Sequence, residues 1–488
     1  MSMLRKCALT LMAIVMASHP LASCTKNGTP SETEATTSAV TSPPEFDPMD
    51  LEGRTFRFLS YDEDTEDYAD SYIWADSMGG ETISQAVAER NRDTESQFNI
   101  KIETDRVHSP KVEAARRMQS GQVDFDVIYE LGIRTVTLAL NGRLYDFGEL
   151  EGVDLDRSYW LSGARDDLTV GGKMYLAASY ITMNSIGGAS CVIFNNDMYE
   201  DLGYSESLYS MVDSKKWVID KYVELALAAS EDVDNDGIMT INDRYGLWGD
   251  TTACLTELAR NAGIRNTQKN GDGSYSLSMY TETAVDIYTR FDHILGKDKF
   301  IGYDQVWEAF PNLTAFPSRY KLARTIGFGE DHVLFMNGNV NMVLDFGHMN
   351  DDFGVLPNPL YNSEQTEYYH YIDVNTPMFA VPAESLSIDV TGTILEYMAY
   401  KSEVYLLPAY YSAVARQHEG NPTDDGRMLD IIRGSMHYEW TDLYDLDTTN
   451  GMLADMMTSG CFNTVFTRTN GKALDEINEC VDILRGLK

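Results

Sequence analysis

Between residues 51 and 488, short apolar runs alternate with longer amphipathic ones, and this alternation restricts the chain to a layered α/β architecture with substantially parallel sheets. Phe56 to Ser60 predicts a first strand, Ile83 to Phe98 a helix, Ile100 to Ile102 a second strand and Phe125 to Tyr129 a third. This is a βαβ-type opening. Met174 to Ala178 and Cys191 to Phe194 read as strands on either side of a glycine-containing connection. Val218, Tyr222, Leu225 and Ala229 mark one face of a helix, and Val340 to Phe346 reads as a buried strand. No internal repeat and no heptad array is present. The stretch exceeds one typical domain and carries enough apolar residues for two cores, so two lobes are expected.

The first residues have the order of a bacterial lipoprotein signal: Arg5 and Lys6, an apolar run from Ala8 to Ala17, then Leu21, Ala22, Ser23 and Cys24. Residues 1–23 are the expected signal peptide and Cys24 the lipidated first residue of the mature chain. The apolar run is too short to span a bilayer. Residues 24–50 are rich in Ser, Thr, Pro and Glu and predict a flexible tether. The mature protein is therefore expected as a monomer on the extracellular face of the cell membrane, held by its lipid anchor. With 76 acidic against 38 basic residues the net charge is −38, which disfavours nucleic acid and anionic lipid surfaces as partners. Beyond the signal and Cys24 the cysteines are Cys191, Cys254, Cys461 and Cys480, with no Cys-x-x-Cys pair. Cys191 and Cys480 fall in apolar patterns that predict buried free thiols; a disulfide between Cys461 and Cys480 stays open as an alternative.

The most specific local motif runs from Asp232 to Asp243. Asp232, Asp234, Asp236 and Asp243 occupy loop positions one, three, five and twelve, with Gly237 at six. A hard cation of calcium's size needs several oxygens on a tight turn, and the glycine permits the bend that gathers them. Ile238 would offer its carbonyl and Thr240 a bridging water, so a structural Ca2+ is expected. The alternative is an acidic turn without an ion.

Aromatic residues beside acids form the second theme. Tyr61-Asp62, Tyr129-Glu130, Tyr180, Trp248 with Asp250, and Asp345-Phe346 all fall near predicted carboxyl ends of strands, where open α/β sheets bind ligands. A sugar presents apolar C–H faces and a rim of hydroxyls, which flat rings and carboxylates match. These nine residues are the expected ligand contacts, and core packing is the alternative at each. The sequence lacks Gly-x-Ser-x-Gly, His-Glu-x-x-His, Gly-x-x-x-x-Gly-Lys-Ser/Thr and Gly-x-Gly-x-x-Gly, and its histidines have no metal-ligand spacing. No catalytic residue is assigned.

Several segments, taken in order, resemble the extracellular solute-binding lipoproteins of bacterial ABC importers, in the carbohydrate-type family 1. They are Phe125-Asp-Val-Ile-Tyr129, Gly142-Arg-Leu-Tyr-Asp146, Gly171-Gly-Lys-Met-Tyr175, Phe194-Asn-Asn-Asp-Met198 with Gly203, Trp217, Asp243-Arg-Tyr245-Gly246, and Phe335-Met-Asn-Gly338 leading to Met342. Phe194-Asn195-Asn196 departs from the frequent Tyr-Asn-Lys, and Leu-Ala-Ala after Tyr175 replaces Gly-x-Pro. The resemblance implies a two-lobed periplasmic-binding-protein-like fold of type II, with the ligand cleft between the lobes. It implies lobe 1 over 51–182 with 375–432 returning to it, lobe 2 over 183–374, and C-terminal helices 433–488 packing across both. It also implies a non-enzymatic function: capture of a mono- or oligosaccharide and delivery to a permease in the membrane. The rival readings are a secreted lipoprotein glycosidase or lyase, and a peptide or polyamine receptor of an importer.

Overall fold

In the computed structural model the described residues are 43–62, 72–75, 82–161, 163, 165–249, 251–295, 299–301, 309, 324–417 and 422–487. Cys24, the expected signal peptide, nearly all of the expected tether and Asp250 lie outside them. In chain order the strands are β1 (Arg54–Tyr61), β2 (Ile100–Val107), β3 (Val127–Leu131), β4 (Ser190–Asn195), β5 (Tyr245–Trp248), β6 (Thr267–Lys269), β7 (Tyr275–Leu277), β8 (Phe300–Ile301), β9 (Val333–Asn339), β10 (Phe353–Leu356), β11 (His370–Tyr371), β12 (Pro377–Ala380) and β13 (Met436–His437).

They assemble into two principal sheets, in the orders β12-β3-β1-β2 and β10-β4-β9-β5-β8. In the first, β1 lies parallel to β2 and β3, and β12 closes the edge antiparallel to β3. The second is mixed: β5 runs parallel to β8 and β9, whereas β4 is antiparallel to both β9 and β10. Antiparallel strands arise where the chain re-enters a sheet, so the expectation of largely parallel sheets holds only for their helix-connected parts.

Alternation along the second sheet sorts side chains between two cores. Ile193, Trp248, Met336 and Val355 face one core, while Val192, Phe194, Leu247, Phe335 and Leu356 face the other. The helix Thr82–Phe98 buries Ala86, Val87, Arg90, Asn91, Thr94 and Phe98, a helical stripe that packs on the long helix Ile388–Ala415. Helix Pro422–Gly434 packs against β10 of the second sheet. The C-terminal helices also enter both cores: Met452, Met456, Phe462 and Val465 in one, Ile477, Cys480, Val481 and Leu484 in the other.

Two expectations are corrected. Residues Val340–Asp345 form a 3-10 helix, because the strand of that region is β9 and the chain turns at its end. Met174 to Ala178 makes no regular strand; its ladder contact is the bridge of Ala177 to Phe379. Cys461 and Cys480 are free, the first exposed and the second buried, with Cys191 and Cys254 buried free thiols as well.

Candidate functional site

The two sheets are joined by segments that cross between them side by side. Residues 183–190 lead from the first sheet into β4, and 370–377 return from the second sheet to β12. Ala189 bridges Ile372 in antiparallel sense, the Asp373 amide donates to the Gly188 carbonyl at 3.0 Å, and the Tyr371 amide donates to Ser190 Oγ at 3.0 Å. The carboxyl end of β3 abuts this pair through the Gly132 amide, which donates to the Thr376 carbonyl at 3.2 Å.

Polar side chains converge on the crossing. From the first sheet, Asn184 donates its amide to the Tyr129 hydroxyl. From the second, the end of β9 and the start of the 3-10 helix after it read Asn337-Gly-Asn339-Val-Asn341, in which Gly338 and Val340 are buried and the three asparagines are half-buried. Asn337 accepts from the Tyr222 hydroxyl, and its side chain hydrogen-bonds Glu257 on the helix Thr251–Asn261. Asn339 reaches Asp373 Oδ2 at 3.4 Å, and Asn341 accepts from the Tyr410 hydroxyl at 2.7 Å. Burial pushes the Glu257 carboxyl up to about 7; Arg260 and Asn337 oppose the shift and Asp373 reinforces it.

An ionic tie lies behind the crossing. Asp167 accepts from Arg265 Nη2 at 2.7 Å and faces His437 Nδ1 at 3.2 Å, and Glu439 accepts from the Asn266 amide at 3.0 Å. The guanidinium carbons of Arg260 and Arg265 lie 5.1 and 5.7 Å from the Tyr371 ring centroid. Arg260 is also paired with Asp442.

The expected ligand residues fall into separate groups. Tyr61 is buried, and its hydroxyl accepts from Arg134 Nη1 at 3.0 Å. Asp62 follows it, donating its amide to the Val107 carbonyl at 3.1 Å, with Oδ1 buried and unpartnered among the described residues. Glu130 is fully buried; its carboxylate accepts from the amides of Lys111 and Leu131 at 2.9 and 3.0 Å and lies 3.9 Å from Arg134. Burial raises its pKa against the pull of those amides. Tyr61, Glu130 and Arg134 thus meet at the ends of β1 and β3. Tyr129 sits at the crossing, its ring 5.1 Å from Phe379. Tyr180 is buried beside Arg433, and burial raises its hydroxyl pKa.

Trp248, Phe346 and Asp345 occupy other surroundings. Trp248 is 1% exposed and its six-membered ring lies on Gly327, where a Cβ would come within 2.2 Å of it. Phe346 packs with Phe328 and Phe353 at centroid distances of 5.0 and 6.1 Å. Asp345 pairs with Arg324 at 3.1 Å. Rings beside acids at strand ends satisfy a core as well as a cleft, and here the core holds them.

Sequence reasoning missed Asn184, Arg134, Glu257, Asp373 and the alternating asparagines; the Asn-Gly-Asn-Val-Asn run is the signal that was available for the last. It also missed Trp74, half-buried beyond β1, whose ring lies 5.5 Å from the Arg106 guanidinium near the end of β2.

In the acidic loop, Asp232, Asp234 and Asp236 bring one carboxylate oxygen each within 4.8 Å of one another. Gly237, at φ +85°, makes the bend and donates its amide to Asp232 Oδ2 at 2.8 Å. Asp232 Oδ1 is buried without a hydrogen-bond partner among the described residues. The Asp236 amide pulls the Asp234 pKa down, but desolvation and the carboxylates of Asp236, Asp232 and Asp243 leave it above its ordinary value. Asp243 instead caps its own loop, accepting from the amides of Thr240 at 2.6 Å and Val233 at 2.9 Å, which lowers its pKa.

No protein-family model and no curated protein sequence matches the chain. Among solved structures it is similar to a sugar transporter from Rhizobium etli in an open conformation, with 14% identity and a TM-score of 0.53 over 88% of this chain and 99% of that one. It is likewise similar to a cyclo/maltodextrin-binding protein complexed with maltotetraose, at 11% identity and a TM-score of 0.53 over 88% and 97% of the two chains. The GacH receptor of Streptomyces glaucescens gives 12% identity and 0.50 over 89% and 100%. The chain therefore has the α/β, two-lobed, periplasmic-binding-protein-like fold, with the cleft between the lobes.

Proposed function

We propose that this chain is an extracellular solute-binding protein that captures a mono- or oligosaccharide and delivers it to the permease of an ABC importer. The observation that carries the reading is the paired crossing, where Asn337, Asn339, Asp373 and Glu257 gather half-buried amides and carboxyls beside the two antiparallel connections. Such connections act as a hinge, and closure of the lobes turns binding energy into a shape a permease recognises. Amides and carboxyls answer the hydroxyl rim of a sugar, and Trp74 offers the flat face. The similar proteins are a sugar transporter, a maltodextrin-binding protein and a receptor known with acarbose, which supports the carbohydrate class. A neutral ligand is favoured over a polyamine because Glu130 is matched by two backbone amides, Asp345 by Arg324 and Asp373 by Asn339 and Asn375. Anchoring through a lipid on Cys24 and a monomeric state belong to the same reading; no helix among the described residues is long and apolar enough to cross a membrane.

The test is a thermal-shift screen against mono- and oligosaccharides, amino acids, peptides and polyamines. A saccharide at a hundred times its dissociation constant should add about 2.7 kcal/mol of stability. Prolonged incubation should return the saccharide unchanged. A melt moved by peptides or amines and by no saccharide would remove the carbohydrate class, and accumulating shorter sugars would restore the glycosidase.

The acidic loop is proposed as a structural Ca2+ site. Asp232, Asp234 and Asp236 with the Ile238 carbonyl would hold the ion and Thr240 a bridging water, whereas Asp243 supports the loop rather than completing the shell. The converging carboxylates and the unpartnered Asp232 Oδ1 fit a cation. Chelator should lower the melting temperature of the native protein, and D234A/D236A should lose that response while keeping ligand affinity. Identical melts with and without chelator, in protein shown by elemental analysis to carry calcium beforehand, would argue against the site.

A further inference from the structure

We propose that His370 is an acid-sensitive catch: a neutral imidazole that pins the second crossing segment between Asn358 and Ser435, and that lets this corner of the crossing open when it takes up a proton. The inference goes beyond the proposed function and does not depend on the ligand.

His370 begins β11, which pairs in parallel with β13 and leads into the second crossing segment, and its side chain is fully buried. Both ring nitrogens are engaged. Nε2 faces the backbone amide of Asn358 at 2.9 Å, and an amide N–H only donates, so Nε2 presents a lone pair. Nδ1 lies 2.8 Å from Ser435 Oγ. The single hydroxyl hydrogen of Ser435 goes to the Ile431 carbonyl at 2.6 Å, so Nδ1 carries the proton and donates. The geometry fixes a neutral ring in one tautomer. Each partner is tied into the crossing as well. Asn358 donates its side-chain amide to Ser190 Oγ at 2.9 Å and to the Tyr369 carbonyl at 3.0 Å, and the Ser435 carbonyl accepts from the His370 amide at 3.0 Å.

The surroundings give a second proton no acceptor. Among the described residues no carboxylate is hydrogen-bonded to the ring. His437 of β13 faces it, and His437 itself lies beside Asp167 and Arg265. Tyr368 stacks at a centroid distance of 6.1 Å; burial pushes its hydroxyl up to about 12, and Asp213 beyond it adds to the shift. On β4 the Cys191 thiol is kept neutral by burial, and on the helix Thr251–Asn261 Arg260 faces Tyr371, whose side chain leaves the other side of the strand. Burial, with the charge of His437 adding to it, pulls the His370 pKa down to about 3. A proton arriving from solvent adds to the Nε2 lone pair. The hydrogen bond from Asn358 is then lost, and two N–H groups oppose each other across 2.9 Å. Departure of the ring relieves this; it unlinks β11 from Asn358 and Ser435 and slackens the second crossing segment.

Two measurements on the full chain test this. The folded pKa lies below the ordinary value of about 6.5, so the contribution of the neutral ring is full above about 6.5 and is lost as pH falls toward about 3. Amide hydrogen exchange, corrected for its intrinsic pH dependence, should show residues 357–372 and 431–438 losing protection about fiftyfold between pH 6.5 and 4.5 relative to β1 and β9. H370Q can still accept from Asn358 and donate to Ser435 but takes up no proton, and its two segments should stay level with β1 and β9. Hydrogen exchange at the imidazole C2, which reports protonation of each histidine separately, should show wild-type His370 neutral from pH 8 down to 4.5. Unchanged relative protection in wild type overturns the proposal, as does the same acid loss in H370Q. A His370 that protonates near pH 6.5 with both segments still protected also overturns it, and that readout needs no variant to fold.

Discussion

Replacement of Arg90 by methionine is expected to destabilise the protein by about 4 kcal/mol or more, because its buried guanidinium donates to three backbone carbonyls. Arg90 is fully buried on the helix Thr82–Phe98, donating to the carbonyls of Ile181 at 2.6 Å and of Tyr72 and Ile73 at 2.9 Å each, and to Ser402 Oγ at 3.3 Å. Burial pulls its pKa down to about 9, so at neutral pH the charge persists, balanced by carbonyl dipoles rather than by an acid. R90K keeps a charge but cannot reproduce the planar fork, and should recover only part of the loss. Urea midpoints at fixed m-value measure it. A loss below about 1 kcal/mol for R90M would mean that water replaces the guanidinium at no cost.

Truncation of Trp248 to alanine should cost about 3–5 kcal/mol of folding stability, the range for removing a large aromatic from a core. Affinity for ligand per folded molecule should stay unchanged. The indole is 1% exposed and pressed on Gly327, so G327A should destabilise through the same contact. If W248A instead melted like wild type and bound ligand about 2 kcal/mol more weakly, the indole would be a ligand platform after all. Calorimetric melts beside titrations separate the two losses.

Elements whose identity is settled by local pattern were legible. β1, the helix ending at Phe98, β4 and the helix with Tyr222 and Leu225 on its buried face all follow from periodicity. Val340 to Phe346 failed because a short apolar run carries no period that separates strand from 3-10 turn, and the preceding β9 had already used the sheet position. The candidate site was less legible. Tyr61-Asp62 and Tyr129-Glu130 lie at the ends of β1 and β3, where the pattern puts them, but whether a ring enters a core depends on what tertiary packing puts opposite it. Trp248 meets Gly327, Phe346 meets Phe328, and Asp345 meets Arg324. Conversely, Glu257 and Asp373 carry no local mark; folding of distant segments onto Asn337 and Asn339 gives them their surroundings.

The C-terminal helices reach both cores, and β12 reaches the first sheet only after the whole second sheet has been spelled out in sequence. Neither core is complete without the helix Phe462–Gly486, which supplies Phe462, Val465 and Ala473 to one and Ile477, Cys480, Val481 and Leu484 to the other, so a nascent chain still missing that helix holds two unfinished hydrophobic surfaces and no finished lobe. For the extracellular role proposed above, which requires export of an extended chain, this ordering would be an asset. Native structure would be withheld until the helix Phe462–Gly486 emerges, and the commitment to fold would fall on the far side of the membrane.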